Sequence, residues 1–339
     1  MIKFFSIAII FIGLIGVGFL LGFNKGQIAD YELVIPKGFP EPVIPENNQL
    51  TTARIELGRQ LFYDPILSID SSISCASCHH QSLGFADNKV ISPGVDGRLA
   101  TRNAPTLANV AYNPTFLFDG YLETLEMQIL VPIQEHAEFN HNIVEIAKVL
   151  KRDTHYVQMS LQAYDRMPDH FVITRSISAF ERTLISGNSI YDQEVNQGKK
   201  VMSKSQKRGM NLFLNELHCT KCHGGFNFTN FSTQNNGLYE VYADSGRMRA
   251  TKLEIDRAMF KVPTLRNIAL TAPYMHDGSL ANLDAVIRHY EKGGVHHKNK
   301  NPIIQPFKLS NRERTDLIHF LESLTDESFI ENPAFGSLY

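Results

Sequence analysis

Cys75-Ala76-Ser77-Cys78-His79 and Cys219-Thr220-Lys221-Cys222-His223 are two occurrences of one pattern in a chain of 339 residues. Two thiols three positions apart sit about one helical turn apart and reach the two vinyl groups of one porphyrin, while the adjacent imidazole reaches its iron. The pattern therefore reads as covalent c-type haem attachment, made twice: Cys75, Cys78 and His79 for one haem, Cys219, Cys222 and His223 for the other. These are all four cysteines of the chain, so haem attachment would consume every thiol. Four cysteines are too few to staple a chain of this length, which excludes a disulfide scaffold. The structural alternative is a four-cysteine zinc site assembled from both pairs. About 140 residues separate the pairs and each carries the terminal His, which favours haem.

The surroundings of the two motifs echo one another. Leu57-Gly58-Arg59-Gln60-Leu61-Phe62 precedes the first, and Arg208-Gly209-Met210-Asn211-Leu212-Phe213 precedes the second. Downstream, Ala104-Pro105-Thr106-Leu107-Ala108-Asn109 is matched by Val262-Pro263-Thr264-Leu265-Arg266-Asn267, and Phe118-Asp119-Gly120-Tyr121-Leu122 by His276-Asp277-Gly278-Ser279-Leu280. Matches in one common order point to an internal duplication. It predicts an N-terminal haem domain at 51–195 and a C-terminal haem domain at 196–339. Ile173, Ile177, Phe180 and Leu184 share one helical face, and Ser203-x-x-Gln206 and Ser310-x-x-Glu313 read as capping boxes opening two further helices. Alternating strand patterns are scarce. The expected fold is mainly α, two cytochrome c-type haem domains with long loops.

At the N-terminus, residues 1–23 contain an apolar run from Phe4 to Phe23 behind Lys3, long enough for a membrane anchor and compatible with a signal peptide. Either reading exports the remainder, and the periplasm is the expected location. Pro36, Pro40, Pro42 and Pro45 mark 24–50 as an extended linker. With 33 Lys+Arg against 35 Asp+Glu there is no basic excess, so nucleic acid is not expected as a partner. The chain has 22 Phe and 12 Tyr but no Trp.

The sequence resembles the bacterial di-haem cytochrome c peroxidase family, including its MauG-type branch. The resemblance spans about residues 50–328. It rests on LGRQLFYDPILS (57–68), SCASCH (74–79), RNAPTLANVAY (102–112), FDG with LEMQ (118–128) and PTLRNIALTAPYMHDGSL (263–280). It implies a peroxidatic N-terminal haem, an electron-transfer C-terminal haem, and a calcium ion between the domains. Position by position, His79 and His223 match the proximal ligands, and Gln128 and Glu138 the distal pocket. Asn103, Thr271 and Pro273 match the calcium-binding positions, and His276 falls near the junction of the haems. Moving a proton between peroxide oxygens is work suited to an enclosed carboxylate such as Glu138, and oxygen ligands suit calcium.

Three positions depart from the family's common pattern. Where many members carry a removable His ligand, this chain has Val95, which predicts an N-terminal haem open to peroxide. Tyr290 falls where MauG-type members have a ligating Tyr in place of Met. Leu283, Val286, Ile287 and Tyr290 share a helical face that Gly293 closes, and Met275 is the competing ligand. Phe118 stands where members carry the Trp that relays electrons between haems, leaving Tyr121, Tyr274 or a water as alternative routes. The expected function is reduction of hydrogen peroxide with electrons from a small cytochrome c or cupredoxin. The alternatives are a MauG-like oxidation of aromatic side chains on a partner protein, and electron transfer without catalysis.

Overall fold

The computed structural model describes residues 30–338. The signal peptide or membrane anchor expected at 1–23 lies outside the described residues. Among those described, no helix is long and apolar enough to cross a membrane. Helices dominate: α1 (Thr52–Tyr63), α2 (Leu125–Gln134), α3 (Ile143–Leu150), α4 (Thr154–Tyr164), α5 (His170–Glu181) and α6 (Ile190–Val195) precede α7 (Lys204–Asn211). Short α8 (Met248–Thr251), α9 (Leu283–Glu291), α10 (Asn311–Glu322) and short α11 (Glu327–Ile330) follow. One two-residue antiparallel pair, β1 (Thr233–Gln234) with β2 (Phe260–Lys261), is the described sheet.

Local chemistry starts these helices where the sequence signals them. Ser203 and Ser310 both close full capping boxes, with Gln206 and Glu313. Thr51 and Asp169 cap α1 and α5 by accepting the N–H of Arg54 and Val172. Such caps satisfy amides that the first turn leaves without partners.

The duplication is visible as two helix crossings. In the first core α1 lies against α5, burying Leu57, Leu61, Phe62, Ile173, Ile177, Phe180 and Leu184. In the second core α7 lies against α10, and Leu212, Phe213, Leu317, Phe320, Leu321 and Leu324 are buried. Each crossing turns on a glycine of the repeat. A methyl group on Gly58 would lie 1.8 Å from the Ser176 carbonyl oxygen, and one on Gly209 would lie 1.9 Å from that of Asp316. Only a residue without Cβ lets the two backbones approach so closely.

The two halves are stitched at equivalent points. Asn109 and Asn267, the last residues of the PTL-x-N repeats, are both fully buried with φ of +61° and +59°. Asn109 exchanges hydrogen bonds with the Ser186 backbone inside the first half and donates across to Asn227 Oδ1 at 2.9 Å, while Asn267 Nδ2 donates across to the Ser186 hydroxyl at 3.0 Å. Arg266 forms a two-pronged ion pair with Asp192 at 2.7 and 3.0 Å, both side chains fully buried. The proline-rich stretch is irregular but packed. Phe39 contacts Tyr112 of the first half and Phe226 of the second, and its ring lies 4.5 Å from the Arg266 guanidinium. The chain's end returns to the first core, where Phe329 and Phe335 are buried and the Phe335 carbonyl accepts from Tyr63.

Gly58→Ala and Gly209→Ala are each expected to destabilise the protein by at least about 1–3 kcal/mol, the cost of forcing atoms into a packed core. Chemical denaturation of each variant, with both haems attached, measures this.

Candidate haem sites and the residues beside them

Each Cys-x-x-Cys-His unit is a short turn laid against one core. Cys75–Ser77 and Cys219–Lys221 form single helical turns, with Cys75 and Ala76 packed on the first core and Cys219 on the second. The four thiols form no disulfide. Because the two pairs belong to different cores, they do not assemble a four-cysteine site. No cluster of His, Cys, Asp or Glu among the described residues is suited to a metal ion, and the zinc alternative falls.

The donor set fits haem. His79 Nδ1 faces the Phe85 carbonyl at 2.9 Å and His223 Nδ1 faces that of Phe228 at 3.2 Å. Donating from Nδ1 leaves Nε2 as the lone-pair nitrogen of both rings, the arrangement that orients an imidazole towards a metal. Burial holds both imidazoles below their ordinary pKa, so they are neutral, as a ligand must be. Burial also pushes the Cys75 thiol well above its usual value and that of Cys219 to about 11, so neither is a thiolate.

Beside the first motif the loop 92–98 lies against 137–139. Val95 is fully buried and its N–H donates to the Glu138 carbonyl at 3.0 Å. Gly94 permits this approach, since a Cβ there would meet the Ala137 oxygen at 2.2 Å. Val95 and Glu138 are thus neighbours. Burial first, and the Glu135 charge second, push the Glu138 carboxyl up to about 7. Gln128 is half-buried on α2, one turn beyond the buried Leu125.

A second carboxyl belongs to this region and was not among the expected residues. Glu181, at the end of α5, is 4% exposed and is pushed up to about 8 by burial. Its Oε2 has no hydrogen-bond partner among the described residues. Both Glu138 and Glu181 are close enough to act on the Cys75 thiol. Glu126 is the contrast: burial alone would raise it, yet the two-pronged bond from Arg182 holds it at about 2. The sequence signal for Glu181 was its place beside Phe180 on the apolar stripe of α5.

Beside the second motif, the ligand candidates converge on Asn236. Its Nδ2 donates to Met275 Sδ at 3.2 Å, and its side chain also hydrogen-bonds the Tyr290 hydroxyl. Burial pushes that phenol up to about 12, and Cys222 and Cys219 are near enough to act on it. Tyr290 is on α9 as expected, with Leu283 and Ile287 buried on its face. The neighbouring His289 is held by the Asn236 carbonyl at 3.1 Å.

At the junction, Asn103 donates its backbone N–H to the His276 carbonyl at 2.9 Å. Its Nδ2 is used by the carbonyls of Lys89 and Val90, which leaves Oδ1 as its oxygen donor. Thr271 and Pro273 occupy the turn just before His276, and the Ala272–Pro273 bond is cis. His276 is buried and stacks on Phe260 at 4.0 Å. Phe118 is half-buried and its carbonyl accepts the Lys261 N–H at 2.7 Å. Of the alternative electron routes, Tyr121 is 53% exposed, while Tyr274 is buried with its hydroxyl on the Ile268 carbonyl.

Comparison with known proteins gives two haem-type domains in this chain. The family model for di-haem cytochrome c peroxidase matches residues 52–200, and that for cytochrome c matches 206–325. The methylamine utilization protein MauG of Methylorubrum extorquens is 34% identical over 296 residues, 86% of this chain and 83% of that protein. The cytochrome c551 peroxidase of Nitrosomonas europaea is 34% identical over 294 residues, 84% and 82% of the two chains. A crystal structure of a MauG-like protein associated with microbial copper homeostasis superimposes with a TM-score of 0.86 at 32% identity, over 91% of this chain and 99% of that one. Likeness of this extent, on both haem-attachment units, makes the protein a member of the di-haem cytochrome c peroxidase family.

Proposed function

We propose that this oxidoreductase reduces hydrogen peroxide to water at the N-terminal haem, using electrons received from a small cytochrome c or cupredoxin by the C-terminal haem. The pairing of Val95 with Glu138 carries the reading. The Val95 backbone is bonded to that of Glu138, so a residue that cannot ligate iron adjoins one whose carboxyl, raised to about 7, lies near neutrality, where a proton carrier is most effective. The haem supplies the iron at which peroxide is cleaved. Glu138 takes a proton from one peroxide oxygen and returns it to the other, and Gln128 orients the peroxide by hydrogen bonding. Residues 51–195 and 196–339 are taken as the two haem units, the latter lending its last turn to the first core. Calcium is assigned to Asn103 Oδ1 and the carbonyls of Thr271 and Pro273. The periplasm is the assigned location, with residues 1–23 as export signal or membrane anchor.

A second reading, MauG-like oxidation of aromatic side chains on a partner protein, is favoured by Tyr290 and its hydrogen bond to Asn236 beside Cys219 and Cys222. Phenolate ligation stabilises ferric iron relative to Met, which suits an oxidising enzyme better than an acceptor from high-potential donors. Electron transfer without catalysis leaves the raised Glu138 carboxyl without a role.

Stopped-flow mixing of the diferric protein with peroxide tests the main reading: no reaction would overturn it. Glu138→Gln should slow that reaction by about 10²–10⁴-fold, the usual contribution of a positioned acid–base group. Since Glu138 must be ionised to accept a proton and its pKa is raised to about 7, the wild-type rate should fall as the pH drops through about 7. Glu138→Gln should abolish that dependence. Tyr290→Phe should change the absorption spectrum of one haem, and an unchanged spectrum would remove Tyr290 as a ligand. Phe118→Trp should accelerate electron transfer between the haems, because Trp is far more readily oxidised than Phe; flash photolysis of the half-reduced protein reads that rate.

A further inference from the structure

One amine at the junction of the two halves has no part in the function above. Lys261 is half-buried on β2, its backbone N–H bonded to the Phe118 carbonyl at 2.7 Å. Its Nζ reaches across to the Thr115 carbonyl at 3.2 Å, which uses one of its three donors. Among the described residues no charged group acts on that nitrogen, and burial alone pushes the ammonium down to about 8. The other cations here are already engaged. Arg102 bridges Asp119 and Asp244 at 2.7 and 2.6 Å, and Arg247 binds the carbonyls of Asp119 and Gly120 and faces Asp256 at 3.7 Å. A desolvated ammonium without a counter-ion is costly, and proteins pair such groups.

A bound haem would bring such an anion, because each haem carries two propionate carboxylates. Lys261 lies two residues before Pro263, whose backbone is in hydrogen-bonding contact with the His223 imidazole. In an extended strand, two residues cover about 7 Å, so Lys261 belongs to the segment that flanks the C-terminal haem. We propose that Lys261 binds a propionate of the C-terminal haem and so ties that haem to the Thr115–Phe118 segment of the N-terminal half. The role is confined to one haem, because the repeat places Asn103, not a cation, at the equivalent position of the first half.

The inference needs haem attachment but not peroxide turnover, so an enzyme inert to peroxide would leave its readout intact. The test is a spectroelectrochemical titration of the di-haem protein, with resonance Raman bands of the propionate groups recorded alongside. Removing a positive charge beside a haem favours its ferric form. Lys261→Met should therefore lower one of the two midpoint potentials and shift the propionate bands of one haem, while Lys261→Arg stays near wild type. Should Lys261→Met fail to mature with both haems, Lys261→Gln removes the charge and keeps a donor for Thr115. Unchanged potentials and propionate bands in the neutral variant would overturn the proposal, as would an equal fall in Lys261→Arg.

Discussion

Backbone against backbone at Gly58 and Gly209 is the contact on which the rest depends. At each site a helix of the repeat lies so close to its partner that a methyl group would collide with a carbonyl oxygen. This brings the large residues flanking each glycine, Leu57, Leu61 and Phe62 in one half and Leu212 and Phe213 in the other, into a dry core. The haem-attachment turns are seated on those cores, so the positions of His79 and His223 follow from the closeness of two helix pairs.

On that common scaffold the halves have diverged in what they place near the cysteines of the attachment turn. The first presents Val95, Glu138 and the buried Glu181, an apolar surface with two carboxyls of raised pKa. The second presents Met275 and Tyr290, both hydrogen-bonded to Asn236. Burial acts in the same direction on Glu138, Glu181 and Tyr290, favouring their neutral forms. The difference is one of chemistry: proton-carrying carboxyls against a thioether and a phenol. The Asn267–Ser186 hydrogen bond and the Arg266–Asp192 pair join the halves through fully buried polar contacts.

Much of this was readable before the chain was folded. The capping boxes at Ser203 and Ser310, the apolar stripe of α5 and the end of α9 before Gly293 appear as the pattern requires, because caps and amphipathic stripes are written in neighbouring residues. The repeat motifs foretold pairs of equivalent sites, and Asn109 and Asn267 share even their left-handed backbone conformation. Less readable was the proline-rich stretch, whose Phe39 packs between the halves where composition suggested only an extended linker. The burial of Glu181 is hidden in the same way: a carboxyl at a helix end usually faces water, and its burial depends on what α1 and the Cys75 turn bring over it.

The sequence by itself determined the two attachment units for haem and the repeated motifs around them, since covalent attachment requires thiols and an imidazole in one short stretch of chain. Tertiary structure decided what surrounds them. Val95 lies against Glu138, Asn236 serves both Met275 and Tyr290, and Lys261 reaches Thr115 without an anion, all across separations that no local spacing encodes. Whether a carboxyl or amine is raised, lowered or left without a partner depends on desolvation by distant segments, and desolvation exists only once the chain has closed around it.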